Sequence, residues 1–380
     1  MNEDATGRHA SDSDRTLLRR LAPATAEEDP LLHLLEVEPA EGVPPQRIQL
    51  GPAPLMIGRT AQNGLVLPSP DVSRSHCVLV LEDDAVIVTD LGSTNGTLVD
   101  GRVTGGPTRL MSGSRLRLGP FTLVYRSGRA SDMARVDEVE RDLARAGRYV
   151  AALLPPPILE GRIRADWRFE PSARIGGDGF GYGWLDEDRF AVWLLDVAGH
   201  GAGSALLAAS AMNTLREHGL PDVDFADPVA VMEALNARFQ MDRHGGLFFS
   251  LWYGVCDVAA SRLVFGCAGQ HPAFLLLPGV PTPAPLHVKA PAIGVTPDWP
   301  YRQAEAELPP GSRLHLFSDG AFELTAPDGR ELGLADFLPH LLAPEGNALP
   351  DPERLLRTVR DLARPGPLDD DVSILTLDIS

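Results

Sequence analysis

Four aspartates, each in its own short motif, have the residue type and setting for metal-assisted chemistry. The motifs are ARIGGD ending at Asp178, DVAGHG opening at Asp196, LFSDG around Asp319 and DDDVSIL around Asp370. Each of the last three stands at one end of an apolar run, so rigid strand ends would aim these side chains into a common cleft. Four converging carboxylates repel one another and cannot all stay ionised. Divalent cations remove that conflict, and carboxylates without His or Cys partners favour Mg²⁺ or Mn²⁺ over zinc.

Each motif alone also has a structural explanation. An aspartate next to glycine, as in SDG, is often a turn residue or a helix cap. The four motifs in this order, over about 190 residues, favour a metal centre. His200 in GHG has two open roles. It could act as a general acid toward the leaving oxygen, or it could bind backbone in the turn before a helix, which we favour.

Together these motifs resemble the SpoIIE-type branch of the metal-dependent serine/threonine protein phosphatases (PPM, or type 2C), from about Leu153 to the C-terminus. LLPPP, PAIGV and DGAFEL support the resemblance. It implies two Mn²⁺ or Mg²⁺ ions that lower the pKa of a bridging water for in-line attack on phosphorus. The implied ligands are Asp196 bridging both ions, the backbone carbonyl of Val197, Asp178 on one ion, and Asp319 and Asp370 on the other. The implied catalytic residues are Asp196, Asp178 and His200.

Some features of the sequence blur this pattern. Because the run is Asp369-Asp370-Asp371, the ligand register is open by one residue. The family usually carries aromatic residues and a further acid after GGD, whereas residues 179–183 are GFGYG, which predicts an extra-flexible loop beside the metals. The usual AGHPP is AGQHP at residues 268–272, with a Gln before the His. Neither departure removes a predicted ligand.

A second set of polar clusters lies in the N-terminal part of the chain. In order they are Gly58-Arg59, Ser73-Arg74-Ser75-His76, GSTNGT at residues 92–97 and Leu118-Gly119. Their order and spacing resemble the forkhead-associated (FHA) domain. The resemblance implies that Arg59, Ser73 and Arg74 contact the phosphate of a phosphothreonine. Thr94 would help to hold that phosphate and Asn95 would bind the adjacent peptide backbone, whereas His76, Gly58 and Gly96 are predicted to be structural.

These two sets of residues need two kinds of supporting structure, so we predict a multidomain chain. Residues 1–29 are predicted to be a disordered tail. Short strands broken by turns, among them Asp83-Asp84 and Asp100-Gly101, predict an all-β FHA sandwich over residues 30–128. A helical linker is predicted at 129–157. Strands mixed with helices over 158–380 predict an α+β PPM phosphatase fold, an antiparallel β-sandwich flanked by helices.

The predicted linker carries a heptad seam. Its apolar positions are Val136, Val139, Leu143, Ala146, Val150 and Leu153, and three prolines at 155–157 end it. The seam is shorter than the ~3–4 heptads that identify a coiled coil. Two alternatives therefore stay open: a single helix packed on its own domain, or a parallel coiled coil that joins two chains in a homodimer.

The composition argues against several classes of partner. The formal net charge of -18 argues against nucleic acid and against adsorption to anionic lipid. No apolar run approaches the ~18 residues of a membrane span, and the N-terminal residues lack the apolar core of a signal peptide. We therefore predict no membrane association and a cytoplasmic location. The three cysteines, Cys77, Cys256 and Cys267, suit neither a disulfide framework nor a zinc site.

The predicted function is that of a bacterial signalling enzyme that hydrolyses phosphoserine or phosphothreonine in proteins. Its FHA domain would recruit it to a phosphothreonine-containing partner, for which an autophosphorylated Ser/Thr kinase is a candidate. A phosphorylated anti-sigma-factor antagonist is a candidate substrate, because domains of the SpoIIE type often act on such regulators. The alternative is a scaffold that binds phosphothreonine partners through the FHA domain and carries an inactive phosphatase fold.

Overall fold

The computed structural model describes residues 29–38, 46–172, 176–199, 201–342 and 349–380. Two compact units divide the chain, Met1–Val139 and Glu140–Ser380. The predicted disordered tail, apart from Asp29, lies outside the described residues, and so does His200. No helix within the described ranges is long and apolar enough to cross a membrane. The domain boundaries predicted from the sequence stay predictions.

The described part of the first unit consists of short strands. They are β1 (Leu31–Val37), β2 (Gln46–Gln49), β3 (Leu55–Gly58), β4 (Leu65–Val66), β5 (Cys77–Glu82), β6 (Ala85–Asp90), β7 (Leu98–Val99), β8 (Arg102–Val103), β9 (Thr108–Leu110), β10 (Arg115–Leu118) and β11 (Phe121–Arg129). One sheet has the order β2-β1-β11-β10-β7-β8 and the other β4-β3-β5-β6-β9. Neighbouring strands are antiparallel except β3 and β4. The predicted all-β sandwich is confirmed.

Two of its hairpins turn where the sequence predicts. Asp83 and Asp84 join β5 to β6 with φ of 44° and 58°, and Glu82 pairs with Ala85. The Asp100-Gly101 turn, between β7 and β8, also has positive φ at both residues. Two-residue turns with positive φ match the right-handed twist of the strands they connect, and aspartate and glycine tolerate that conformation.

An apolar core between the two sheets holds the first unit together. Its buried members include Leu35, Ile57, Leu67, Cys77, Leu79, Val86, Val88, Leu116, Leu118 and Leu123. Burying one such side chain stabilises a fold by about 1.5–3 kcal/mol, before conformational entropy is subtracted. The sandwich therefore offers a rigid support for the loops at its ends.

Helix α1 (Ala130–Ala151) lies within the predicted linker. Val136 and Val139 in its N-terminal half are exposed, at 51% and 53%. Val150 and Leu153, at the other end of the heptad seam, are buried in a core of the second unit. This end of the seam packs on its own domain, as the first alternative predicts. The coiled-coil alternative for the exposed valines stays a prediction.

The second unit contains two antiparallel sheets and helices. Its strands are β12 (Ile163–Glu170), β13 (Asp178–Trp184), β14 (Arg189–Val197), β15 (Phe249–Asp257), β16 (Arg262–Ala268), β17 (Ala273–Leu276), β18 (Ala284–Leu286), β19 (Gln303–Glu307), β20 (Arg313–Phe317) and β21 (Val372–Ile379). Its described α-helices are α2 (Ala202–Arg216), α3 (Pro228–Arg238), α4 (Leu334–Phe337) and α5 (Asp351–Leu362), with 3₁₀ turns at Met241–Arg243, Asp319–Ala321 and Leu338–Leu341. The sheet orders are β13-β14-β15-β16-β19 and β12-β21-β20-β17-β18.

Side chains between these sheets form one core, and helices cover the outer faces. The inner core includes Phe180, Phe190, Val192, Leu194, Trp252, Cys267, Leu314, Leu316, Leu375 and Leu377. Helices α2 and α3 pack on β13–β16, and α5 packs on β12 and β21. The predicted α+β sandwich flanked by helices is confirmed, and this layering brings the ends of β14, β20 and β21 to one site.

The prediction of a flexible loop at residues 179–183 is wrong. These residues belong to the regular strand β13, which pairs with β14 along its whole length. A Cβ on Gly179 would lie 2.6 Å from the sulfur of Met212, and one on Gly181 would lie 2.2 Å from the ring of Trp193. The glycines therefore allow large side chains to pack flat on the strand, which is a recognised use of glycine in sheets.

Candidate functional site

Asp178 and Asp196 face each other across neighbouring strands. Asp178 is the first residue of β13, Asp196 is the penultimate residue of β14, and the two are direct partners in the antiparallel register. Directly opposite side chains lie on the same face of a sheet about 4.5–5.5 Å apart at Cβ, and like charges there are destabilising. Asp178 is only 3% exposed, and its Oδ2 accepts no hydrogen bond from the described residues.

Asp319 and Asp370 come from the other sheet. Asp319 follows the end of β20 and opens a 3₁₀ turn, and Asp370 precedes β21, the antiparallel neighbour of β20. The N–H of Ser318 donates to the carbonyl of Ser373 at 3.0 Å, which ties the two chain segments together. The ends of two different sheets therefore contribute one carboxylate pair each.

The electrostatics show that the two pairs share one environment. Burial and then the charges of Asp319 and Asp370 raise the pKa of Asp196 to about 7. Burial and the charge of Asp370 raise the pKa of Asp319 to about 6. Burial, followed by the charge of Asp196, raises the pKa of Asp178 well above its ordinary value. The structure thus brings together all four predicted aspartates, and they oppose one another's ionisation.

The donor set suits a hard divalent cation. All four groups are carboxylates, and the buried oxygen of Asp178 without a hydrogen bond is an unused acceptor. No group of three or more His, Cys, Asp or Glu side chains in the described part of the chain is already arranged as a cage for an ion. The fit therefore rests on the chemistry of the donors and on the orphaned oxygen, and no coordination geometry is assigned.

The remaining predicted residues of this site are placed as follows. Val197 ends β14 and is 1% exposed, and a Cβ on Gly177 would lie 3.0 Å from its carbonyl oxygen, which is a tight contact. His200 lies outside the described residues, between Gly199 and Gly201, which have φ of 87° and 97°. Both roles considered for His200 stay predictions, as does the carbonyl ligand.

Asp370 and Asp371, two residues of the acidic run, differ in exposure and in hydrogen bonding. Asp370 is exposed, whereas Asp371 is 5% exposed and both of its carboxylate oxygens accept hydrogen bonds. Asp370 also accepts the N–H of Asp371 through Oδ1 at 2.8 Å. Of the two, Asp370 has the accessible carboxylate, which favours the predicted register.

The sequence analysis assigned no place at this site to three further residues near the carboxylates. The exposed Glu323 contributes to the raised pKa values of Asp196 and Asp319. Its place four residues after Asp319, across a single helical turn, was the available signal. Ser250 on β15 lies directly opposite Asp196, and its hydroxyl donates to the side-chain oxygen of the buried Gln270. No local pattern identifies Ser250, because only strand pairing brings it opposite Asp196. Gln270 was noted in the sequence only as a departure from AGHPP, and its contact with Ser250 was not predicted.

The predicted phosphate-binding residues lie on loops at one end of the first unit. Arg59 follows β3 and its N–H donates to the carbonyl of Ser73 at 3.0 Å. The hydroxyl of Ser73 accepts the N–H of Thr94 at 3.1 Å and lies 3.5 Å from the Thr94 hydroxyl. Asn95 donates to the carbonyl of Asp71 at 2.9 Å. The loops after β3, before β5 and after β6 are therefore linked through four of the five predicted residues.

The fifth, Arg74, completes an exposed set of donors. Arg59, Arg74, Thr94 and Asn95 are exposed, and Ser73 is half-buried. A Cβ on Gly58 would lie 2.3 Å from the carbonyl oxygen of Arg74, so glycine is required for the two loops to approach. Two guanidinium groups with adjacent hydroxyl and amide donors form an arrangement suited to a phosphate.

Hydrogen bonds that involve the side chains of His76 and Asp90 hold these loops in place. The Nδ1 of His76 accepts the N–H of Ser73 at 3.1 Å, so the ring is protonated at Nε2, which lies 3.2 Å from the carbonyl oxygen of Gly96. Asp90 accepts the N–H groups of Gly92 and Ser93 and the hydroxyl of Thr97. Burial alone would raise the pKa of Asp90, but hydrogen bonds from Ser93 and Thr97 lower it to about 2. The structural role predicted for His76 agrees with these contacts.

Two family models match the parts of the chain that contain these residues. The family model for stage II sporulation protein E (SpoIIE) matches residues 186–380, which is just over half of the chain. The chain belongs to the SpoIIE family. The FHA domain model matches residues 55–119, so the chain combines an FHA domain with a SpoIIE-type domain. Asp196, Asp319 and Asp370 lie inside the SpoIIE match, and Asp178 lies before it.

Similar proteins exist for each part. Phosphoserine phosphatase RsbP of Bacillus subtilis is 30% identical over 191 residues, which are 49% of this chain and 46% of RsbP. FHA domain-containing protein FhaB of Mycobacterium tuberculosis is 35% identical over 80 residues, 21% of this chain and 52% of FhaB. The chain spans about half the length of these relatives. The SiaA-PP2C domain of Pseudomonas aeruginosa shares the fold, with a TM-score of 0.54 and 20% identity over 65% of this chain and 99% of that domain. Phosphatases of the PPM/PP2C family are metal-dependent.

Proposed function

We propose that this chain is a metal-dependent serine/threonine protein phosphatase of bacterial signalling, directed to its partners by the FHA domain. The observation that carries the proposal is the meeting of four carboxylates from distant segments at one site, where the pKa values of Asp178, Asp196 and Asp319 are raised. A protein does not retain such mutual repulsion for stability alone, and divalent cations are the simplest means of neutralising it. The similarity to a phosphoserine phosphatase supports the same reaction.

The roles of the residues follow from their positions. Asp196 would bridge two Mn²⁺ or Mg²⁺ ions. Asp178 would be a ligand of one ion, and Asp319 and Asp370 would be ligands of the other. The carbonyl of Val197 would add a ligand. When bound, two such ions supply Lewis-acid activation of water and neutralise the phosphoryl oxygens. His200 stays a candidate for the proton that the leaving serine or threonine oxygen requires.

Strand pairing also positions the polar side chains around the proposed reaction site. Strand pairing fixes the backbone of Asp178 opposite that of Asp196, so both side chains leave the sheet on the same face. Ser250 and Gln270 place a hydroxyl and an amide on the same face as Asp196. Polar groups at that position are suited to hold water or a phosphoryl oxygen beside the carboxylates.

The FHA domain would bind the phosphorylated partner and so recruit the enzyme to it. Arg59, Ser73, Arg74 and Thr94 would bind the phosphate of a phosphothreonine, and Asn95 the peptide backbone next to it. An autophosphorylated Ser/Thr kinase is our candidate for that partner. A small phosphorylated regulator, such as an anti-sigma-factor antagonist, is our candidate substrate. These two phosphoproteins need not be the same molecule, because the domains act on different phosphorylated residues.

Location and assembly belong to the proposal as well. We place the enzyme in the cytoplasm, without nucleic-acid or membrane partners. The free thiols of Cys77, Cys256 and Cys267 are compatible with a reducing compartment. A homodimer through α1 is supported by the exposure of Val136 and Val139 on the heptad seam.

The test is phosphate release from phosphoserine and phosphothreonine proteins, with and without Mn²⁺. The wild-type chain should require Mn²⁺, and Asp196→Asn should lower the turnover by about 100-fold or more, because a bridging ligand supports several kcal/mol of catalysis. The rival function is a scaffold with an inactive phosphatase fold. Inactivity of the wild type that the substitution leaves unchanged, together with intact phosphothreonine binding, would support the scaffold instead.

A further inference from the structure

Asp371 is a buried carboxylate whose two oxygens are both in use. Its side chain belongs to a residue that is 5% exposed. Ser172 donates to Oδ1 from its N–H at 2.8 Å and from its hydroxyl at 3.1 Å. Gly177 donates its N–H to Oδ2 at 2.6 Å. Hydrogen bonds to a carboxylate are short and about twice as strong as those between neutral groups. Asp371 therefore fixes the positions of Ser172 and Gly177, which precede β13 in the chain.

These contacts reach the first pair of predicted ligands through their neighbours in the chain. Gly177 precedes Asp178, and its carbonyl accepts the N–H of Val197 at 3.3 Å. Val197 follows Asp196. Through Gly177, the side chain of Asp371 is therefore connected to the backbone beside both members of the pair.

The backbone of Asp371 reaches the second pair in the same way. Ser318, which precedes Asp319, donates its hydroxyl to the carbonyl of Asp371 at 3.0 Å. The same hydroxyl accepts the N–H of Ser373 at 2.9 Å. Asp371 itself follows Asp370. Each of the four predicted aspartate ligands thus has an immediate neighbour in one hydrogen-bonded cluster centred on Asp371.

Two glycines make room for this cluster. A Cβ on Gly176 would lie 2.5 Å from Oδ2 of Asp371, and one on Gly320 would lie 2.2 Å from its backbone oxygen. A contact under 3.0 Å would require movement of the carboxylate or of the backbone. The close approach of Asp371 therefore explains the glycine of the SDG motif and the first glycine of GGD.

We propose that Asp371 is the positioning residue that holds the four predicted ligands at their working separations, and that it is not itself a ligand. The inference rests on the proposed function, which assigns the ions to Asp178, Asp196, Asp319 and Asp370. Groups that orient ligands from behind typically change metal affinity or activity 10–100-fold when they are replaced. Asp371 fits that role because both of its carboxylate oxygens already accept hydrogen bonds from N–H and O–H donors of the chain.

The test compares Asp371→Asn with Asp369→Asn in the full chain. An asparagine has one carboxamide oxygen, so its NH₂ group must face a donor, either Gly177 or Ser172, and at least one bond is lost. Asp369 undergoes the same chemical change in the same run, but it is exposed and bonds to Arg364 and Thr325. Calorimetric titration of Mn²⁺ without substrate should show about 10–100-fold weaker binding for Asp371→Asn at unchanged stoichiometry, and wild-type binding for Asp369→Asn.

Ser172→Ala provides a second arm that leaves the carboxylate intact. It removes only the hydroxyl bond to Asp371, so Mn²⁺ binding should weaken a few-fold, and the double variant should be less than additive, because both changes act on one contact. If Asp371→Asn does not fold, as judged by tryptophan fluorescence, Ser172→Ala carries the test, and unchanged Mn²⁺ binding in it overturns the proposal.

The outcomes separate this proposal from the proposed function. Equal Mn²⁺ affinity in Asp371→Asn and Asp369→Asn refutes the positioning role, and so does the loss of one bound ion at saturating Mn²⁺, which would make Asp371 a ligand. A wild-type chain that binds Mn²⁺ but hydrolyses no phosphoprotein sinks the proposed function and leaves the positioning role standing. A wild-type chain that binds no Mn²⁺ overturns both.

Discussion

Replacing Asp196 by asparagine should stabilise the metal-free second unit at neutral pH. Burial and neighbouring carboxylates raise the pKa of Asp196 from 3.8 to about 7 in the folded chain. Because the folded state then binds a proton that the unfolded state has released, the free energy of unfolding must fall as the pH rises from about 4 to about 7. Asparagine removes the charge and, with it, this dependence.

The size of the effect follows from the shift. A rise of about 3 pKa units, at about 1.4 kcal/mol each, gives an upper limit of about 4 kcal/mol. The pKa of Asp319 is raised to about 6, so the two groups share protons and their contributions do not add. We therefore expect Asp196→Asn to exceed the wild type by about 2–4 kcal/mol at pH 8 in EDTA, and the two to converge near pH 4.

The assay is urea unfolding in EDTA at pH values between 4 and 8, followed by tryptophan fluorescence. The five tryptophans, Trp167, Trp184, Trp193, Trp252 and Trp299, all belong to the second unit, so the signal reports on that unit. Replacing EDTA by Mn²⁺ should offset most of the advantage of the variant, since a ligand at 100 times its Kd stabilises the state it binds by about 2.7 kcal/mol. The exposed Asp242→Asn serves as the matched control.

Two results would refute this reasoning. One is a free energy of unfolding of the wild type in EDTA that rises between pH 4 and pH 7, which would show that the ionised carboxylates do not destabilise the folded state. The other is an Asp196→Asn variant with the same pH dependence as Asp242→Asn, which would show that the charge of Asp196 is not the cause.

The other predictions concern the FHA loops and the glycine strand. Arg59→Ala should weaken binding of a phosphothreonine peptide at least about tenfold by fluorescence polarisation, because a charged hydrogen bond contributes about 1.5–3 kcal/mol. Phosphatase activity on a free substrate should persist, and equal affinities for Arg59→Ala and the exposed control Arg109→Ala would contradict the assignment. Gly181→Ala should destabilise the second unit by about 1–3 kcal/mol, because its Cβ would lie 2.2 Å from the ring of Trp193. Gly183→Ala, with nothing within 4 Å of the added Cβ, should be close to neutral, so equal losses in both variants would disprove the packing argument.

Local sequence patterns were sufficient for the architecture. Two-residue turns such as Asp83-Asp84 depend on positive φ, which few residue types tolerate, so the turn is visible in the sequence itself. Alternating short apolar runs then predict the sandwich. The four aspartate motifs were also visible, because each combines a strand end with a fixed neighbouring residue pattern.

The glycine-rich strand was beyond such patterns. GFGYG has the composition of a flexible loop, and only the packing of Met212 on Gly179 and Trp193 on Gly181 makes it a strand. Both contacts come from residues remote in the chain or across a strand pair. Composition alone does not tell whether a missing side chain leaves space for solvent or for a neighbour.

Sequence by itself determined which residue types are present for chemistry, their order, and the two kinds of domain that carry them. Tertiary structure alone decided which aspartate of the run Asp369-Asp370-Asp371 has both carboxylate oxygens occupied, because those of Asp371 bond to Ser172 and Gly177, almost 200 residues earlier. It likewise placed Ser250 opposite Asp196. The physical reason is the same in each case: adjacent residues have nearly identical local propensities, and long-range hydrogen bonds and strand register distinguish them.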